Sequence, residues 1–171
     1  MFPRIERTSG TDAGSNLRDV ARLHHVGFVV ASILNEVDGF AHSIQASWNE
    51  TIIHDPQQKA RVTFLQPACS TDALIELVEP AGDGSPVLQF LQNGGGLHHL
   101  CYEVPDLEAC LEQMRRAGAV IVRRPRPAVA FANRRIAWTI TKQKLLLEFL
   151  EQQAAPPGIY EAQEETRGSI G

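Results

Sequence analysis

"LHHVGFVV", Leu23 to Val30, and "LHHLCYEV", Leu97 to Val104, both open on Leu-His-His and continue as apolar, β-rich runs. Together they hold four of the six histidines in the chain. The segments after the two runs are also alike. After the first, Ser32 is placed to cap a helix carrying Ile33, Val37, Phe40 and Ile44 at helical spacing. Ser47 to Ile53 reads as a strand, Asp55-Pro56 as a turn, and Arg61 to Gln66 and Ala73 to Val78 as two further strands. After the second run, Asp106 caps a helix whose apolar face is Leu107, Cys110, Leu111 and Met114, and Gly118 stops it. Val120 to Arg123 is a strand entering an "RRPRP" connection, and Arg134 to Thr141 and Leu145 to Leu150 are two more. The chain therefore predicts an α+β fold of two βαβββ modules, 22–80 and 97–152, within one domain over 22–152. A linker helix is expected over 85–93, "SPVLQFLQN", with Pro86 at its first helical position. The polar or Pro/Gly-rich ends, 1–21 and 153–171, are expected to be a flexible arm and tail.

Composition narrows the classes of function. The chain has 171 residues, is 43% hydrophobic and 21% charged, and has a net charge of −4, which suits an ordinary globular protein of one domain. That charge leaves no basic footprint for nucleic acid, and no apolar run approaches the roughly 20 residues that span a membrane. Cys69, Cys101 and Cys110 have no paired spacing, so reduced thiols and a cytoplasmic location are expected.

The chemistry is carried by residues that recur with the modules. "LIELVE", Leu74 to Glu79, answers "LLEFLE", Leu146 to Glu151. His25 precedes Glu76 by 51 residues and His99 precedes Glu148 by 49. Side chains alternate along a strand, so His25, Gly27 and Val29 share one face and His24, Val26, Phe28 and Val30 the other. The smaller set suits a cavity floor and the bulkier set suits packing under a helix. By the same rule His99 faces the cavity, while His24 and His98 face the packed side. Glu76 and Glu148 each interrupt an apolar strand, where a carboxylate is costly without a partner. Two imidazoles and two carboxylates form a set for one divalent first-row ion (Co, Ni, Mn, Zn or Fe) with positions left open for water or substrate.

With these residues placed, the chain resembles the vicinal oxygen chelate superfamily of glyoxalases, bleomycin resistance proteins and dioxygenases, and within it the methylmalonyl-CoA epimerases. The matching stretches are LHHVGFVV, VTFLQP, LIELVEP, SPVLQFLQNGGGLHHLCYEVPDLEACLEQMRRAGA and LLLEFLE, spanning residues 23–152. The resemblance implies curved sheets forming a cup around a metal held by His25, Glu76, His99 and Glu148. It further implies isomerisation of an acyl thioester through a metal-stabilised enolate, with Glu148 as ligand and catalytic base. One departure bears on mechanism: where the epimerases keep a second acid/base glutamate, this chain has Val62 or Thr63. A glyoxalase-like lyase, a dioxygenase and a small-molecule binding or resistance protein are the alternatives on the same fold. A small-molecule substrate, an acyl-CoA among the options, is the expected partner, and a homodimer is the expected assembly by analogy with the superfamily.

Other features have plainer readings. The arginines at 123, 124, 126, 134 and 135 suit a solvated face or dimer contact ahead of a site for acyl-CoA phosphates. Cys101 reads as a small buried residue ahead of a ligand contact in the cup, and Trp48 and Trp138 read as core ahead of a place in the pocket wall.

Overall fold

Alternation along the first Leu-His-His strand decides which side of the sheet is packed and which is hollow. In the computed structural model, which describes residues 21–153, β1 (Arg22–Val29) buries His25, Gly27 and Val29 on one face. From the other face Phe28, with Val30 just beyond the strand, meets the apolar side of α1 (Ile33–Ile44) through Ile33 and Val37. Ser32 Oγ accepts the Asn35 N–H at 3.4 Å, satisfying one free donor of the first turn. Glu79 reaches across from the sheet to accept the Ile33 N–H at 3.0 Å, and Arg61 pairs with that carboxylate. Most of the expected arm and tail lies outside the described residues.

The chain continues through β2 (Ala46–Trp48), β3 (Ile53–Asp55), β4 (Ala60–Pro67), β5 (Leu74–Pro80) and the short helix α2 (Leu88–Gln92). The pattern then restarts with β6 (Gly96–Val104), α3 (Leu107–Arg116), β7 (Val120–Pro127), a 3-10 turn (Val129–Phe131), β8 (Arg135–Ile140) and β9 (Leu146–Glu151). Asp106 caps α3 by accepting the Ala109 N–H at 2.8 Å. Leu107 and Leu111 then bury against Val104, Ala137, Leu147 and Phe149. All strands join one open, curved sheet in the order β2-β4-β5-β1-β6-β9-β8-β7, with β3 also on β4. The two Leu-His-His strands are antiparallel neighbours at its centre, and each is flanked by the parallel glutamate strand of its own module. This is the α+β architecture expected from the repeat.

Three boundaries differ from expectation. The strand expected over Ser47–Ile53 is two strands, because Glu50 takes a left-handed φ of 60° and the Asn49 side chain accepts the Thr51 N–H at 3.1 Å. Both pieces still pair with β4. The linker helix begins at Leu88, after Ser85, Pro86 and Val87 have formed a turn, so Pro86 does not hold its first helical position. β7 runs on through the arginine–proline stretch to Pro127. It is an edge strand, where Pro125 and Pro127 need supply no ladder N–H on the open side, and its pairing with β8 shifts register twice.

Candidate functional site

The sheet register brings the ligand-type residues together in two adjacent rows. Glu76 on β5, Gly27 on β1 and His99 on β6 are cross-strand partners in one row. His25 on β1, Cys101 on β6 and Glu148 on β9 form the other. Each row places a small residue between a histidine and a glutamate. The outer side chains therefore lean inward over Gly27 and over Cys101. The two rows run in opposite senses, as the duplicated modules require.

The four side chains meet at the base of a cavity, which Glu76, His99 and Glu148 line and His25 backs, and are almost wholly buried: His25 0%, His99 2%, Glu148 2% and Glu76 6% exposed. His25 Nε2 lies 3.1 Å from His99 Nε2, 3.4 Å from Glu76 Oε2 and 3.2 Å from Glu148 Oε2. His99 Nε2 lies 3.3 Å from Glu76 Oε2 and 3.7 Å from Glu148 Oε2. Neighbouring ligands around a six-coordinate ion with bonds of about 2.0–2.2 Å stand about 3 Å apart, so these separations suit a divalent ion. The donor set agrees, since two neutral imidazoles and two carboxylates would balance the charge of such an ion. Among the described residues two trios offer converging donor atoms: His25, His99 and Glu148, which Glu76 joins through both histidines, and His24, His25 and Cys101, which contains no carboxylate.

Without an ion, the charges settle among themselves. Burial alone would depress the His25 pKa, but the carboxylates of Glu76 and Glu148 overcome that and raise it to about 10. Burial would raise Glu76, yet His25 and His99 beside it hold its carboxyl well below the usual range. The metal-free site thus holds a buried imidazolium between carboxylates. Burial, reinforced by Glu148, pushes the Cys101 thiol upward, which suits an inert core residue.

His24 and His98 do not face the helices, as simple alternation suggests. The pairing of β1 with β6 slips by one residue between Leu23 and His25, opposite Tyr102–Cys101. It slips again on β6, where Gly27–Phe28 faces His99 and Leu97. His24 and His98 are the extra residues of two symmetry-related bulges, and a bulge re-aims its side chain. His24 Nδ1 lies 2.9 Å from His25 Nδ1, and His98 Nδ1 lies 3.0 Å from His99 Nδ1. Burial, with the adjacent His25 or His99, lowers both pKa values to about 4, so His24 and His98 are neutral near pH 7. A neutral ring accepts at Nδ1 when its proton is on Nε2. Each can therefore take the Nδ1–H of its neighbour and leave that neighbour's Nε2 directed into the site.

The cavity has a volume of about 260 Å³. Its walls include Asp55, Gln58, Val62, Phe131 and Trp138, and Arg123 contributes from β7. Phe131 stacks on the His25 ring at 5.7 Å, and Trp138 meets the His99 ring edge-on at 4.7 Å. Trp138 therefore walls the site, whereas Trp48 packs on the helix side and donates to Thr63 Oγ1 at 2.6 Å. Val62 presents only methyl groups to the cavity, and Thr63 is committed to Trp48 and the Thr51 carbonyl. Glu50 sits exposed in the break between β2 and β3. Of the five arginines, Arg134 pairs with Glu103, and Arg135 pairs with Glu108 and Glu151. Asp55 and Phe131 gave no sign of this role in the sequence, because their place depends on how the sheet curls; for Trp138 the pocket wall was the alternative to core packing.

A β-carbon added at Gly27 would fall 2.0 Å from His99 Cε1. Gly27→Ala must therefore displace the His99 ring, and overpacking of this kind costs about 1–3 kcal/mol; a lowered urea midpoint at unchanged slope is the expected result. The charge pattern predicts a pH dependence for chelator-treated protein. The His25 contribution is fully present below its unfolded pKa of 6.5 and is lost as pH rises through about 10. The Glu76 contribution is present above the ordinary carboxylate range and is lost in strong acid. Thermal midpoints of the metal-free protein should accordingly fall from neutral toward alkaline pH.

Comparisons with known proteins give the family. An ethylmalonyl-CoA/methylmalonyl-CoA epimerase of Cereibacter sphaeroides is 30% identical over 112 residues, covering 64% of this chain and 81% of that protein. The mitochondrial methylmalonyl-CoA epimerase of Mus musculus is 27% identical over 99 residues, 57% of this chain, and the match spans only about half (53%) of the mouse protein. Among solved structures, methylmalonyl-CoA epimerase from Mycobacterium tuberculosis superposes with a TM-score of 0.67 at 28% identity, covering 78% of this chain and 88% of that one. The model of the Glyoxalase/Bleomycin resistance protein/Dioxygenase superfamily matches residues 24–138, from the first histidine pair to the tryptophan beside the second. With both modules and their shared cavity inside or adjoining that span, the chain belongs to this superfamily.

Proposed function

We propose that this protein is an epimerase acting on an acyl thioester of the methylmalonyl-CoA type, with one divalent ion held by His25, Glu76, His99 and Glu148. The observation that carries the reading is the meeting of two buried imidazoles and two buried carboxylates, one of each from either module, with Glu76, His99 and Glu148 lining a small cavity. Kinship with named epimerases supports the substrate class. The cavity volume suits a short branched acyl head, with the remainder of a coenzyme A ester outside.

A divalent ion bound there would supply positive charge where the oxygens of a thioester and a carboxylate gather negative charge. The chain's own residues do the rest. Glu148 directs Oε2 at both histidines and stands as the base that removes the proton beside the thioester carbonyl. His24 and His98 hold the Nδ1 atoms of His25 and His99, which fixes the ring orientations. Phe131, Val62 and Trp138 limit access of water to the reacting carbon. Arg123 is the one member of the basic stretch on the cavity wall, and it suits a contact with an anionic group of the substrate.

Incubation with methylmalonyl-CoA in deuterated water tests the proposal. Deuterium should enter the α-carbon and the two epimers should interconvert; bound metal with no exchange would remove the thioester reading and leave the fold untouched. His99→Ala should abolish both exchange and tight metal binding, while His24→Ala and His98→Ala should each weaken the metal by about 10–100-fold in isothermal titration.

A further inference from the structure

One more acidic residue lines the same cavity, and half of its carboxylate has no partner among the described residues. Asp55, the last residue of β3, is 2% exposed. Its Oδ1 accepts the backbone N–H groups of Gln57 and Gln58, both at 2.9 Å, and so secures the turn that begins at Pro56. Its Oδ2 is buried and has no hydrogen-bond partner among the described residues. The residue lines the cavity together with Glu76, His98, His99 and Glu148. The turn needs one oxygen only, which an asparagine would provide equally well. A buried carboxylate oxygen without a donor is unfavourable, and such groups persist where an added partner or a proton uses them.

We propose that Asp55 is the second proton carrier of the active site, working on the α-carbon from a different wall than Glu148. This rests on the epimerase reading above. Inversion requires one group to remove a proton and another to return one on the opposite face. Val62, Thr63 and Glu50 cannot be that group here: the first has no proton to give, the second is committed to Trp48 and Thr51, and the third is exposed outside the cavity. Asp55 comes from β3, on the outer part of the first module, and Glu148 from β9 of the second; strands β4, β5, β1 and β6 separate them along the sheet. A molecule seated between them is reached from both modules.

The step balances without any oxidant or reductant. The α-carbon C–H bond breaks, its proton passes to the Glu148 carboxylate, and its electron pair delocalises into the thioester carbonyl. The protonated Asp55 carboxyl then gives its proton to the other face, and a new C–H bond forms with inverted configuration. Exchange of protons with water restores both carboxyl groups, and the roles reverse for the opposite epimer.

The test is Asp55→Asn in the full chain, assayed in deuterated water with each epimer of methylmalonyl-CoA separately. The amide keeps the turn contact through Oδ1 but carries no proton that it can give up. Interconversion should fall by about 10²–10⁴-fold. The epimer whose proton Glu148 removes should still exchange with solvent, and the other should not. Asp55→Ser, which also suits the turn, carries the same test should the asparagine variant fail to fold, as judged by its thermal midpoint. Interconversion by Asp55→Asn at the wild-type rate overturns the assignment and leaves the epimerase reading standing. Absence of exchange by the wild-type chain on both epimers overturns the two together.

Discussion

Two carboxylates and two imidazoles brought out of water at one point are the constraint around which this protein is arranged. Left alone, a buried carboxylate is among the most costly things a core can hold. Here each carboxylate lies beside both histidines, and the resulting cluster exists only when the two modules are side by side. His25 and Glu76 come from the first module and His99 and Glu148 from the second, yet the shortest of the separations, 3.1 Å, joins the two histidines across the module boundary. Satisfying the charges and joining the modules are therefore one event.

The supporting structure is built around that meeting. The central antiparallel pair, β1 with β6, must bring the two second histidines within a few ångströms, and Gly27 and Cys101 keep the intervening positions small enough to allow it. The bulges at His24 and His98 use one additional residue each to place a neutral ring behind each inner imidazole. Helices α1 and α3 cover the opposite face with Ile33, Val37, Leu107 and Leu111, which leaves the other face free to curve around the cavity. The inner surface is then finished by residues far from the centre in sequence, such as Asp55 and Trp138.

Much of this was legible in the residue order. The doubled Leu-His-His and the glutamates 49 and 51 residues later identify the repeat, and strict alternation selects His25 and His99 as the inward pair. Alternation failed one residue away, at His24 and His98, because a bulge is a property of cross-strand register that neither strand shows by itself. The break at Asn49–Ile52 was hidden for a related reason: a left-handed glutamate carries no glycine to announce it. Asp55 was legible as a turn residue, and that reading was right for Oδ1. Its second oxygen gains meaning only when β3 is folded over the cavity.

X-ray absorption at the metal edge of the purified, metal-loaded protein distinguishes the four-residue site from its sulfur-containing neighbour. One ion per chain is expected, surrounded only by nitrogen and oxygen at about 2.0–2.2 Å, with the outer-shell signature of two imidazoles. A sulfur scatterer at about 2.3 Å would place the ion with His24, His25 and Cys101 instead and would contradict the four-residue site.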